Sequence, residues 1–135
     1  MNNHVDFIPE RDKELYEAYR RAMRDSSVKS HQEAIEMAIN SKASRFYIST
    51  FQAYRGILRI RRGEKKERTR PVRDRMINDI YERVKELSER REFKGCSIFF
   101  ITSFAVFQEA PSFYISYSRA LSIISKLKRE RRKTR

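Results

Sequence analysis

Gln52, Arg55, Arg59 and Arg62 stand at i, i+3, i+7 and i+10, a spacing that puts all four on one stripe of a helix. Arginine pairs bidentately with guanine and glutamine with adenine. A stripe of these residues, offered from the N-terminal turns of a helix, therefore suits the major groove of a duplex. At an offset of 67 the corresponding residues are Arg119, Ser122, Lys126 and Arg129, again polar or basic. Each stripe runs into a denser cationic stretch. Arg59 to Arg75 carries nine basic residues against three acidic ones, and Lys126 to Arg135 carries seven against one. Arg61, Arg62, Lys65, Lys66, Arg129, Arg131, Arg132 and Lys133 are accordingly expected to grip phosphates, contacts that position a protein without reading sequence. A single basic helix face is usually only a solvated surface. Recurrence at equivalent places in one chain favours a binding role.

The offset comes from an internal repeat. Ala43-Ser44-Arg45-Phe46-Tyr47-Ile48-Ser49 aligns with Ala110-Pro111-Ser112-Phe113-Tyr114-Ile115-Ser116, and Ala53 and Ile57 align with Ala120 and Ile124. Upstream, Ser30, Ala34, Ala38 and Ser41 meet Ser97, Ile101, Ala105 and Gln108. Further back the offset falls to 62, which aligns Arg11-Asp12-Lys13 with Arg73-Asp74-Arg75, Tyr19 with Tyr81 and Arg21 with Arg83. The second copy thus carries five extra residues near Ser88 to Gly95. Connections absorb insertions more readily than packed elements do, so the change of offset marks a loop. A fixed period of this kind indicates a repeated structural unit.

Three helices per unit must position the stripes. The first is expected to start near Pro9 and to end at Ser26-Ser27, with Leu15, Tyr19, Ala22 and Met23 sharing a face. Ser30 to Glu33 reads as a capping box opening a second helix, with Ala34, Ile35, Ala38 and Ile39 inward. A connector over 42–48 is anchored by Phe46, Tyr47 and Ile48, and Ser49 caps the third helix, whose buried line is Ala53, Ile57 and Ile60. The second unit repeats the plan. Its first helix runs from about Pro71 to Arg91 with Met76, Ile77, Ile80, Val84 and Leu87 inward. Ser97 and Ser116 cap its other helices, and Ala120, Ile123, Ile124 and Leu127 face its core. The second helix of this copy, over Ile98 to Phe107, is apolar nearly all round. It is expected to be buried on more than one side, as a central element or as a homo-oligomer surface.

Composition narrows the function classes. Three Gly and three Pro are too few to punctuate a sheet of many strands, and good helix formers dominate, so the class expected is all-α. A net charge of +13 favours a polyanionic partner through counterion release. With one cysteine, Cys96, no internal disulfide can form. His4 and His31 with Cys96 offer no metal-ligand spacing, three glycines build no phosphate loop, and the carboxylates alternate with Lys and Arg as on solvated helices. No catalytic residue, cofactor or metal is therefore expected. Phe46-Tyr47 and Phe113-Tyr114 could stack bases, but their place beside a capping serine favours core anchors. Neither a secretory leader nor a membrane span is read in the sequence, which points to a cytoplasmic protein, nucleoid-associated or within a virion if phage-encoded.

The order of helices and caps resembles helix-turn-helix DNA-binding modules in duplicated form, although the connector of about eight residues exceeds their usual three or four. The resemblance implies third helices that enter the groove. The expected architecture is two pseudo-repeated tri-helical, helix-turn-helix-like units in one compact domain: 1–63, a basic linker 64–71, a second unit 72–127 and a basic tail 128–135. The function expected is binding of nucleic acid, DNA before RNA, in a regulatory, replication or packaging role on a phage or mobile element. The alternative is a virion or ribonucleoprotein assembly protein whose tails dock on RNA, packaged genome or acidic protein.

Overall fold

The computed structural model describes residues 7–64 and 71–133. Lys65, Lys66 and nearly all of the expected linker lie outside the described residues. Among those described, the chain is all-helical, with no strand. Helix α1 spans Ile8–Met23, α2 His31–Ile39, α3 Thr50–Arg61, α4 Pro71–Ser88, α5 Ile98–Ala105 and α6 Tyr117–Lys133. A 3₁₀ turn, Arg91–Phe93, sits where the extra residues of the second copy were expected.

Serines start four of these helices. The hydroxyls of Ser30, Ser49, Ser97 and Ser116 accept from the backbone N–H groups of Glu33, Gln52, Phe100 and Arg119 at 3.1–3.2 Å. Each bond satisfies one of the orphan donors of a first helical turn. The Glu33 carboxylate reaches back as a capping box requires, but it accepts from Lys29, one residue before the cap. Between α1 and α2, Asp25 accepts from the hydroxyl and backbone N–H of Ser27, and these bonds hold its carboxyl below the usual carboxylate range.

The chain divides into two compact units that are not consecutive stretches. One is Ser44–Glu109, with α3, α4 and α5; the other joins Val5–Ala43 to Ala110–Arg135, with α1, α2 and α6. Each third helix therefore packs on the first two helices of the other copy, unlike the expected division at 63 and 72. The physical reason lies in the connectors. A three- or four-residue turn would fold α3 back onto α2, whereas eight residues in extended form carry the chain well beyond it. In the second unit Ala43 and Ala110 exchange both backbone hydrogen bonds at 2.9 Å, and the Phe113 N–H donates to the Ile39 carbonyl at 3.0 Å. In the first unit the Phe46 N–H donates to the Val106 carbonyl at 2.9 Å.

The cores follow the repeat closely. Leu15, Ala18, Ala22, Ala34, Ile35 and Ala38 are buried in the second unit together with Ala120 and Ile124. Met76, Ile77, Ile80, Val84, Leu87, Ile101 and Ala105 are buried in the first together with Ala53 and Ile57. Ile60, Ile123 and Leu127, expected inside, are only half-buried. Thr102 is the polar residue in this interior, and its hydroxyl donates to the Ile98 carbonyl at 2.7 Å.

Gly56 sets the approach of α3 to α4. A Cβ there would lie 2.8 Å from Ile77 Cγ2 and 2.9 Å from Cδ1, so the helices meet through a missing side chain. The β-branched Ile77 is stiff at χ1 and cannot swing clear easily. Gly56→Ile, which installs the residue found at the equivalent Ile123, is expected to destabilise the protein by about 1–3 kcal/mol despite better helix propensity. Urea unfolding checks this; an unchanged midpoint would mean that the helices are free to separate.

Candidate nucleic-acid interface

Helix α3 presents the first stripe. Ala53 and Ile57 turn into the core, which leaves Arg55, Arg59, Arg61 and Arg62 exposed and Gln52 half-exposed. From Thr50 to Arg61 the helix holds no acidic residue, so its charge has no partner within the helix. Arg62 is the exception at its end, where its Nε meets the Glu64 carboxylate at 2.9 Å on the surface. Arg55 lies 5.7 Å from the ring of Phe51, itself 59% exposed. Phe51 escaped the sequence reading, although it precedes Arg55 by four residues and so belongs to the outward face by helical periodicity.

The second stripe lies on α6. Arg119, Ser122, Lys126, Arg129, Arg131, Arg132 and Lys133 are all exposed. The expected basic tail from 128 is helix through Lys133, because the α-helical pattern continues past the core residues into the charged segment. Lys128 points the other way: its ammonium donates to the Tyr19 hydroxyl at 3.0 Å and ties α6 to α1.

Four of these α6 residues do not stand on an open face. Arg119, Ser122, Lys126 and Arg131 line a groove of about 880 Å³ together with Lys13, Asp12 and Glu130. Ile8, Pro9, Tyr16, Ile123 and Leu127 supply its apolar lining, which is where two of the expected core residues are found. Asp12 is held by Arg11 at 3.0 Å. The two stripes thus differ: α3 holds no acidic residue between Thr50 and Arg61, while α6 borders a mixed groove. The partners contributed by α1 could not be foreseen from α6 alone, since no sequence spacing links Lys13 to Lys126.

The aromatic connectors are structural. Phe46, Phe113 and Tyr114 are buried, so the two phenylalanine rings cannot stack bases. Arg45 pins the first connector by donating to the Phe46 and Ile48 carbonyls at 3.0 and 2.9 Å. Ser112 takes its place in the second, donating to the Ile39 carbonyl at 3.3 Å, and next to it Tyr114 adopts φ 53°. That left-handed conformation is costly for an aromatic residue and is held by burial.

Helix α5 was expected to be buried on more than one side, as a central element or as a homo-oligomer surface, and its own unit covers only one side of it. Ile101, Thr102 and Ala105 are inside their unit, but Phe99, Phe100, Phe104 and Phe107 remain 44–63% exposed. Among the described residues no helix is long and apolar enough to cross a membrane. Compared with protein-family models, curated proteins and solved structures, the chain matches none.

Proposed function

We propose that the protein binds nucleic acid, duplex DNA before RNA, with α3 as the principal reading element. The observation that carries this reading is the acid-free outward face of α3, where Gln52, Arg55 and Arg59 rise from the N-terminal and middle turns and Arg61 and Arg62 close the helix. Phe51 adds an apolar surface of the kind that meets a thymine methyl. On α6, Arg119, Ser122 and Lys126 play the corresponding part, and Arg129, Arg131, Arg132 and Lys133 contact phosphates. Lys65 and Lys66 extend the phosphate grip beyond α3.

A duplicated, helix-turn-helix-like ancestry belongs to the same reading. Its support is the hydrogen bonding of the connectors: the Phe46–Val106 and Phe113–Ile39 bonds correspond residue for residue at the offset of 67. The long connector departs from the usual motif, so the third helices take their supporting helices from the opposite copy.

Salt dependence tests the function. With about six phosphate contacts, affinity for a duplex should fall roughly 10³-fold between 50 and 200 mM salt. Selection from a random duplex pool should then enrich one sequence motif. A flat salt response would remove nucleic acid as the partner. Steep salt dependence without enrichment would favour the assembly alternative, in which a genome is packaged without being read.

A further inference from the structure

The geometry points to a homodimer interface on the aromatic face of α5, its partner a second copy of this chain. Phe100, Phe104 and Phe107 follow one another at i, i+4 and i+7 and form one exposed row. Phe93 supports the row from beneath, its ring centroid 5.1 Å from that of Phe104 and 6.5 Å from that of Phe100.

Folding does not need this face to be apolar. At the equivalent places in α2 the chain carries Gln32, Glu33, Met37 and Asn40, all exposed, where α5 and its C-terminal end carry Phe99, Phe100, Phe104 and Phe107. The same kind of three-helix unit is thus built with a polar face in one copy and an aromatic face in the other. Phe99 meets the Tyr54 ring edge-on at 5.2 Å and Arg45 lies 4.2 Å over Phe107, yet about half of each ring stays exposed and fits a contact outside the unit.

Charge identifies that contact. Gly95 to Gln108 contains no charged residue in a chain whose residues are 36% charged. An acidic partner would be met by Lys and Arg; α5 has none, and the Arg45 guanidinium over Phe107 is engaged with the Phe46 and Ile48 carbonyls. A helix lying on a lipid surface sets its cations opposite its apolar face, but the opposite face of α5, with Ile101, Thr102 and Ala105, is buried in its own unit. A second copy brings an identical neutral row, so a two-fold contact buries ring against ring and keeps facing charges apart. At ~200 Å² per phenylalanine, the exposed rings offer roughly 400 Å² per copy. That is about half of a standard interface of ~800 Å² per partner. The half-exposed, uncharged Ile98 and Ser103 extend it.

Sedimentation of the full chain in the absence of nucleic acid decides the matter. The mass is expected to rise from 16.3 kDa toward twice that value as concentration increases through the micromolar range, about 1–100 μM. Phe100→Glu with Phe107→Asn installs residues that α2 already tolerates, and it should leave a monomer with unchanged helical circular dichroism. Should that pair unfold, Ser103→Glu keeps every ring, copies Glu36 of α2, and should weaken association at least tenfold by setting like charges across the axis. The inference fails if the unaltered chain remains at 16.3 kDa throughout, or if folded variants associate as well as the unaltered chain does. It fails equally if the chain stays monomeric yet binds neutral phosphatidylcholine vesicles through Phe100, which would give the face to lipid.

Discussion

Replacing Arg55 and Arg59 together by alanine is expected to weaken duplex binding by between about 30-fold and 10⁴-fold. A base contact made by arginine contributes about 1–3 kcal/mol of discrimination, and these two occupy the middle of the acid-free face of α3. Both side chains are exposed, so their loss should leave unfolding unchanged. Discrimination between the selected duplex and bulk DNA should shrink along with affinity. Arg20→Ala with Arg24→Ala removes the same charge from the exposed C-terminal end of α1 and the residue that follows it, and serves as the control. Fluorescence anisotropy at fixed salt distinguishes the cases. Equal losses from the two pairs would mean that the protein responds to net charge alone, and unchanged binding in the α3 pair would eliminate α3 as the reading helix.

The second large effect concerns stability. Phe46 is 1% exposed, and its truncation to alanine should cost about 3–5 kcal/mol, a large share of the 5–15 kcal/mol that holds a domain of ordinary size. The location of the damage matters as much as its size. Phe46 belongs with α3, α4 and α5, where its ring lies 5.7 Å from the Arg83 guanidinium. Amide hydrogen exchange should therefore accelerate first in α4 and α5, whereas Phe113→Ala should act first on α1 and α2. A loss of protection in α1 and α2 from Phe46→Ala would contradict the exchanged packing and restore consecutive units.

Much of this fold is legible in the residues themselves. Serine caps, helical periodicity and the shortage of Gly and Pro identify the helices and their inward faces, and the repeat locates the second set from the first. What periodicity cannot convey is the partner. Ala53 and Ile57 on α3 and Ala120 and Ile124 on α6 are the same residues at the same spacing, so either helix could cover either pair. The choice falls to the connector, whose extended form depends on backbone bonds such as Ala43 to Ala110 that carry no side-chain signature. For the candidate interface, the outward Arg stripe of α3 follows from spacing alone. The groove beside α6 does not, because five of its twelve lining residues come from α1. Uniform apolarity left the reading of α5 open between a central element and a surface shared with another copy, since an apolar residue registers a preference for leaving water without saying whether the shelter lies in its own chain.

The interleaved order of the helices has a consequence for synthesis. Ser44–Glu109 is continuous and can close once Glu109 has left the ribosome. Helices α1 and α2, made before α3, must instead wait for α6, made after α5, a delay of roughly 5–20 s at ordinary elongation rates. Through that interval Leu15 and Ile35 lack the surface that finally covers them, so the newly made segment that carries α1 and α2 is more in need of a chaperone than the continuous unit of α3, α4 and α5.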